Sequence, residues 1–455
     1  MTFPKYPEYK DSGVEWLGEV PAHWEVLPLK VQFKVIGGST PSPDEEYWDG
    51  KITWVTPADL SSLPSLEVGA SARQITEKGL GSCGATLVPS GSLVLSTRAP
   101  IGSLAIASVP LCTNQGCKSL VPYKEKKSRF FAYLLKNSTE ALNVRGKGTT
   151  FLELSGDELS SFKVTVPPQD EQAHVARFLD QETARIDALV EEQKRLIELL
   201  KEKRHAVVSH AVTKGLDPDV PMKDSGVEWL GEVPAHWEVV RVKHAAKLES
   251  GHTPNKEKAE YWDGDIPWVS LNDSKQLARS DYIGKTKYTI SELGVANSSA
   301  RLLPPRAVVF TRDATIGLSA ITTKEMAVSQ HLIAWVCRDD SVIPEYLLLV
   351  FYAMKEELDR YTFGATIKTI GMPDVRSLSM SLPPLSEQKT VVDYVFDKRD
   401  SLDGLIIEAQ AASRLLVERR SALISAAVTG KIDVRGWQPP EGSTAFTEAT
   451  QTEMV

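Results

Sequence analysis

The chain contains no apolar run of about 18 residues, the length a membrane-crossing helix needs, and it opens MTFPKYPEYKD rather than with a charged segment leading into an apolar one. Neither a membrane span nor a secretory signal is expected, and the cytoplasm is the expected compartment. Cysteine is scarce: Cys83, Cys112, Cys117 and Cys337 are too few for a disulfide scaffold and lack the paired close spacing of a zinc site. They read as buried or incidental thiols, and no metal is expected. Catalytic constellations are missing as well. The Gly284–Lys285–Thr286 stretch has no glycine five residues upstream to complete a phosphate-cradling loop, and His-Glu-x-x-His and Gly-x-Ser-x-Gly do not occur. The eight histidines are scattered; His23 and His236 suit a core or capping role. Basic excess is lacking too, since the formal charge is -8, which counts against a nucleic-acid partner. Part of that charge comes from the stretch 436–455, which holds Glu441, Glu448 and Glu453 but no Lys or Arg, and is expected to be a disordered tail.

What is present is a duplication. KDSGVEWLGEVPAHWEV at Lys10–Val26 returns letter for letter at Lys223–Val239, and such self-similarity decides the architecture before any other reading. Trp16, Leu17, Val20 and Trp24, with Trp229, Leu230, Val233 and Trp237, are expected to set each lobe's opening block against its helix. With 455 residues, of which 42% are hydrophobic, the chain has ample material for two globular lobes.

Each lobe ends in the same kind of long helix. PPQDEQ at Pro167–Gln172 and PPLSEQ at Pro383–Gln388 are helix-start signals, with proline fixing φ and a short polar side chain capping free N–H groups. Apolar residues then recur at Leu179, Ile186, Leu189, Leu196, Leu200 and Val207 in 167–215, with Val190 and Ile197 widening the stripe. In 383–431 they recur at Val392, Val395, Leu402, Leu405, Leu416 and Leu423. This is the spacing of a coiled-coil seam. At about 1.5 Å per residue each helix reaches roughly 60 to 70 Å, so neither can bury its stripe alone. The two are expected to pair; two separate helical hairpins are the alternative.

Between block and helix the lobes follow one script. Gly37–Thr56 answers Ser250–Ser270, sharing Thr-Pro, a YWDG read as a hairpin turn, and a Trp-Val strand. Leu87–Ser108 and Leu302–Thr322 each give a strand, a polar turn with Arg, an Ile-Gly and a second strand. TNQG (113–116) and VSQH (328–331) align on a glutamine, short helices follow at Arg129–Leu142 and Pro344–Tyr361, and Gly-Thr loops close the lobes at Gly146–Ser155 and Phe363–Gly371. The intervening Pro57–Thr86 and Leu271–Arg301 share little. A constant frame carrying two different surfaces suits the reading of two different half-targets.

This ordered set of motifs, written twice between Lys10 and Gly430, resembles the specificity subunit of Type I restriction-modification systems. The resemblance implies an α+β fold with two tandem target-recognition domains, 10–166 and 223–382. Each is followed by one arm, 167–215 or 383–431, of an antiparallel coiled coil that fixes the separation of the two half-sites. It implies no catalysis and no cofactor bound by this chain. Two modification subunits would bring S-adenosylmethionine and methylate adenine, restriction subunits would bring ATP and Mg2+ for translocation and cleavage, and double-stranded DNA would be the target.

Candidate DNA contacts are basic or polar loop residues. Arg98, Lys147, Thr149 and Thr150 in the first lobe, and Arg312, Thr366 and Lys368 in the second, lie in the shared anchors. Residues common to readers of different sequences suit phosphate, whereas base readers belong in the divergent segments, which points to Arg73, Lys275, Arg279 and Lys285. Two rivals stand beside this reading: a nuclease-methyltransferase fragment without its catalytic half, and a protein-binding scaffold suited to the acidic charge.

Overall fold

A computed structural model describes residues 3–98, 100–123, 128–147, 152–363 and 368–439. Contacts divide the chain into residues 1–192 with 412–455, and residues 193–411. The division cuts both long helices, so each unit holds one lobe and part of each helix.

In the first unit, β1 (Phe33–Gly37), β2 (Trp48–Val55), β3 (Glu67–Val68), β4 (Gln74–Ile75), β5 (Leu93–Ser96), β6 (Leu104–Ala107), β7 (Leu111–Thr113) and β8 (Cys117–Pro122) form two sheets. One has the order β1-β8-β5-β6-β3 and the other β7-β2-β4. The second unit repeats this with β9 (Ala246–Ser250), β10 (Trp262–Val269), β11 (Tyr282–Ile283), β12 (Tyr288–Ile290), β13 (Val308–Thr311), β14 (Ser319–Thr322), β15 (Ala327–Val328) and β16 (Leu332–Cys337). Its sheets run β9-β16-β13-β14-β11 and β12-β10-β15. The Arg-bearing turn joins an antiparallel pair in both lobes, Leu93 facing Ile106 and Val308 facing Ile321.

The YWDG motif is not the hairpin turn its Asp-Gly pair predicts. Trp48 to Val55 and Trp262 to Val269 are single strands whose register slips, between Trp48 and Ile52 in one and Trp262 and Ile266 in the other. Asp49 (φ 55°) and Asp263 (φ 57°) take the left-handed conformation that creates this bulge. The glycine beside each is required for closeness: a Cβ on Gly50 would run into the Ile75 carbonyl, and one on Gly264 into Ser291.

The short helices are each interrupted. In the first lobe α1 (Arg129–Asn137) stops at Ser138 before a further turn, and in the second α3 (Pro344–Ala353) stops at Met354. Both are buried against their sheets, α1 through Phe130, Phe131, Leu134 and Leu135, and α3 through Tyr346, Leu347, Val350 and Phe351.

The long helices are α2 (Gln169–Lys214) and α4 (Leu385–Val428). Their Glu-Gln starts have a specific use. Gln172 Nε2 donates to the Pro167 carbonyl at 2.8 Å and Gln388 Nε2 to that of Pro383 at 2.9 Å. Glu171 meets His23 at 2.9 Å, and Glu387 meets His236 at the same distance. The histidines of the repeated block thus tie it to the start of its lobe's helix. Trp24 and Trp237, both fully buried, instead lie against a helix exit: a Cβ on Gly430 would crowd Trp24, and one on Gly215 would crowd Trp237. Both glycines sit just past a helix end at positive φ, 75° and 78°, where a side chain would be strained. Each opening block therefore joins the beginning of one long helix to the end of the other.

Within each unit the helices run antiparallel. In the first, Arg420 Nη2 donates to Asp187 Oδ2 at 3.1 Å, while Ile424, Ala427 and Val428 join Val175, Phe178 and Leu179 in one core. In the second, Arg204 Nη1 meets Asp403 Oδ1 at 2.5 Å, and Ile197 packs with Ile406 and Ala409. Counted from the proline pairs, Asp187 matches Asp403 and Arg204 matches Arg420, so one bridge is made twice. The buried stripe departs from the expected seam. Leu179, Ile186, Val190 and Ile197 are buried, but Leu189 and Leu196 remain 37% and 42% exposed, and Leu405 47%. With about 3.6 residues per turn a straight helix drifts off a strict heptad, and here the β-branched residues hold the inside.

Candidate functional site

In the second lobe a cleft of about 550 Å³ opens between the small sheet and the glutamine loop. Its floor is Trp262 and Trp268, edge to face at 5.2 Å, and its rim includes Lys256, Asn272, Tyr288, Gln330 and His331. The first lobe has the same tryptophan pair, Trp48 and Trp54, edge to face at 5.0 Å. Indole N–H groups fix both pairs: Trp54 Nε1 donates to the Ser39 carbonyl at 2.9 Å and Trp268 Nε1 to that of His252 at 3.1 Å.

A polar brace holds the divergent segment over each pair. In the first lobe Asp59 accepts from the Thr56 N–H (2.8 Å) and the Ala72 N–H (2.9 Å), while Ser71 Oγ accepts from the Trp54 N–H (3.0 Å) and donates to the Arg73 carbonyl (2.7 Å). In the second, Asp273 accepts from the Ser270 N–H (2.9 Å) and the Lys287 N–H (2.8 Å). Thr286 Oγ1 accepts from the Trp268 N–H (3.1 Å) and donates to the Tyr288 carbonyl (2.7 Å). The brace makes Arg73 and Tyr288 equivalent positions. Arg73 is exposed and lays its guanidinium 3.5 Å over the Trp48 ring; Tyr288 is 40% exposed, with Lys287 Nζ 5.3 Å over its ring.

The shared anchors converge beside this position. Thr40 hydrogen-bonds Gln115, and Thr253 hydrogen-bonds Gln330. In the first lobe Thr97 N donates to the Gly116 carbonyl of the glutamine loop at 2.8 Å. The next residue, Arg98, pairs with Glu153 at 2.9 Å. Lys147 exchanges backbone hydrogen bonds with Glu153 and places Nζ 2.7 Å from Glu158, whose carboxyl it holds below the usual range. In the second lobe Arg312 N donates to the His331 carbonyl at 3.0 Å, and His331 Nδ1 lies 2.7 Å from Asp313, which also bonds Thr369. Arg312 Nε is buried 3.7 Å from Asp313, too far for a hydrogen bond. Exposed Lys368 offers its carbonyl to Ala314 N at 2.8 Å.

Arg73, Arg98, Lys147, Arg312 and Lys368 thus border the brace and the anchors, while Thr149, Thr150 and Thr366 lie outside the described residues. Lys275 and Lys285 are exposed on the divergent segment. Arg279 lines a different cavity, which shares no lining residue with the tryptophan cleft. Sequence reasoning sought basic reach and so missed Tyr288 and Asn272. The Thr-Pro and glutamine anchors were visible in it as matched positions, but their pairing across about 75 residues was not. Cys112 and Cys117 are buried and their thiols are pushed up to about 12 by burial, so neither is a reactive group.

A family model described as the Type I restriction modification DNA specificity domain matches residues 21–199 and again 234–406. The chain is 28% identical over 445 residues to the Type I restriction enzyme MjaIX specificity subunit of Methanocaldococcus jannaschii, across 94% of this chain and 97% of that one. It is 27% identical over 201 residues to the EcoR124I/EcoR124II specificity subunit of Escherichia coli, across 42% of this chain and 46% of that one. A solved chain from work on assembly and conformational transition of the type I R-M system shares the fold with TM-score 0.71 at 15% identity, covering 90% of this chain and 98% of that one. The HsdS subunit of Thermoanaerobacter tengcongensis does so with TM-score 0.56 at 15% identity, covering 91% and 98%.

Proposed function

The chain belongs to the Type I restriction modification DNA specificity family and carries its domain twice; from that premise we propose how it does its work. It is the non-catalytic DNA specificity subunit of a Type I restriction enzyme, and it reads a two-part asymmetric target, one part with each lobe. Family members assemble with modification and restriction subunits and bind DNA. Here two modification subunits supply S-adenosylmethionine and methylate adenine, and restriction subunits supply ATP-driven, Mg2+-dependent cleavage. Among the described residues no helix is long and apolar enough to cross a membrane.

The observation that carries the reading is the brace. The same aspartate, hydroxyl and tryptophan frame presents Arg73 in one lobe and Tyr288 in the other, as expected where the frame serves a common geometry and the tip serves a particular sequence. Arg73 has the fork that matches the two acceptors of guanine in the major groove, whereas Tyr288, Asn272 and Gln330 offer donors and acceptors suited to other edges. Arg98 and Lys147 in the first lobe, and Arg312 and Lys368 in the second, flank the shared anchors and set register on phosphates, although they are not matched residues, since Thr97 rather than Arg98 holds the place of Arg312. Lys275 and Lys285 remain candidates for base or phosphate contact from the divergent segment. Exposed Leu196, Leu199, Leu405, Ile407 and Leu415 on the long helices offer apolar area for partner subunits.

The test is mapping of methylated adenines in DNA from cells carrying the chain with its modification subunit, with and without the chain. A split, asymmetric motif that disappears on deletion is expected. A stable complex that leaves no motif would favour the scaffold reading.

A further inference from the structure

The second unit contains a cavity of about 550 Å³ between the long helices and the lobe, lined by Lys201, Arg204, Arg279, Lys355 and Arg399 against Asp281 and Asp403. The two acids are already committed. Asp403 holds Arg204 at 2.5 Å; Asp281 accepts from Arg399 Nη2 at 3.0 Å and from the Tyr352 hydroxyl at 2.9 Å. Lys201 leans away to Glu198 at 2.8 Å. No acidic side chain among the described residues pairs with Arg279 or Lys355, and Arg399 Nη1 is buried without any hydrogen-bond partner. Such a donor costs on the order of 1–3 kcal/mol unless something accepts from it. Tyr352 at 5.2 Å and Phe396 at 5.6 Å flank the Arg399 guanidinium.

The first unit is built differently at the equivalent place. The helix position of Arg399 is Thr183 there, buried and hydrogen-bonded to the Leu179 carbonyl and within 3.3 Å of the Tyr133 hydroxyl. The nearby Arg129 spends its guanidinium on two acids, Asp180 and Glu67, both at 2.7 Å. At the helix position of Arg399 the first unit therefore has no guanidinium, and its nearby Arg129 is neutralised by two acids.

We propose that this cavity binds a phosphate group, with the Arg399 guanidinium on its wall and Arg279 and Lys355 closing over the oxygens. A tetrahedral dianion or diester has acceptors in several directions, which three cations from α4, the helical turn that follows α3 and the 278–281 turn can meet together. Two sources carry this chemistry, the backbone of a DNA duplex and a free nucleotide or pyrophosphate. The inference goes beyond the specificity reading, because the site needs no base sequence.

The test uses the full chain with Arg279→Ala/Lys355→Ala, both exposed positions, and separately Arg399→Lys, which keeps the charge but loses the guanidinium fork. Duplex binding is measured against salt, and the melting temperature is followed with added pyrophosphate. If the backbone is the ligand, the double variant weakens cognate and scrambled duplexes equally and its salt slope falls by about 2. If a free phosphate compound is the ligand, pyrophosphate raises the parent's melting temperature and not the variants', with the salt slope unchanged. A salt slope and a pyrophosphate response both equal to the parent's would overturn the site. A parent that binds no DNA would count against the specificity reading instead, while the pyrophosphate arm would still report on the cavity.

Discussion

Where the first lobe lays Arg73 across Trp48, the second lobe presents Tyr288 beside Lys287, yet the backbone that carries each is held by the same bonds from Asp59 or Asp273 and from Ser71 or Thr286. The two lobes differ at the tip and agree in the support. A frame of this kind separates stability from selectivity: side chains at the tip contribute little to the fold, and side chains in the brace contribute to both.

Variants at paired positions can break this equivalence. The largest effect belongs to the support that both lobes share. Trp24→Ala and Trp237→Ala each remove a fully buried indole at a helix exit, and each should cost about 3–5 kcal/mol in denaturant unfolding; a large loss for one and none for the other would show that the two junctions are not equivalent. Next is the brace. Asp59→Ala or Asp273→Ala strands two backbone N–H groups and should cost about 1–3 kcal/mol, while relaxing sequence preference in one half-site and leaving the other intact in a methylation-mapping experiment.

A smaller stability effect but a sharper functional one is expected at the tip. Arg73→Ala should leave unfolding within about 0.5 kcal/mol of the parent and reduce discrimination at one base pair by about 1–3 kcal/mol. Equal weakening across all duplex sequences would reassign Arg73 to phosphate. The smallest effect is electrostatic. Lys147 holds Glu158 below the ordinary carboxylate range, so the pair adds stability above the unfolded carboxyl's pKa and loses it as pH falls through the lower folded value. Lys147→Gln should return the Glu158 titration, followed by NMR, towards the ordinary range.

Much of this organisation is legible in the amino-acid order because it is written twice. The repeated block, the Glu-Gln helix starts and the order of strands around each Arg turn are local signals with local causes. The errors arise where long-range packing overrides a local rule. Asp49-Gly50 has the composition of a hairpin turn, but its left-handed aspartate serves a bulge because Ile75 passes close beside it. A strict heptad places Ile186, Leu189 and Leu196 inside the seam, but of these only Ile186 is buried, and Val190 and Ile197, which widen the stripe, are buried in place of the two leucines. At the candidate site, Thr40 with Gln115 and Thr253 with Gln330 are legible as matched letters, but only folding brings each pair together. Tyr288 carries no sequence signal, since its role comes from the brace around it.

The junction at Gly430 also orders events in time. The first lobe's core includes Ile424, Ala427, Val428 and Val434, and Asp433 N donates to the Pro4 carbonyl at 2.8 Å. The second unit, by contrast, is continuous from Gln193 to Ala411. During synthesis at roughly 5–20 residues per second, the lobe made first is the one that must wait, its hydrophobic face uncovered until the last turns of α4 leave the ribosome. The lobe made second has all its parts earlier and can close first.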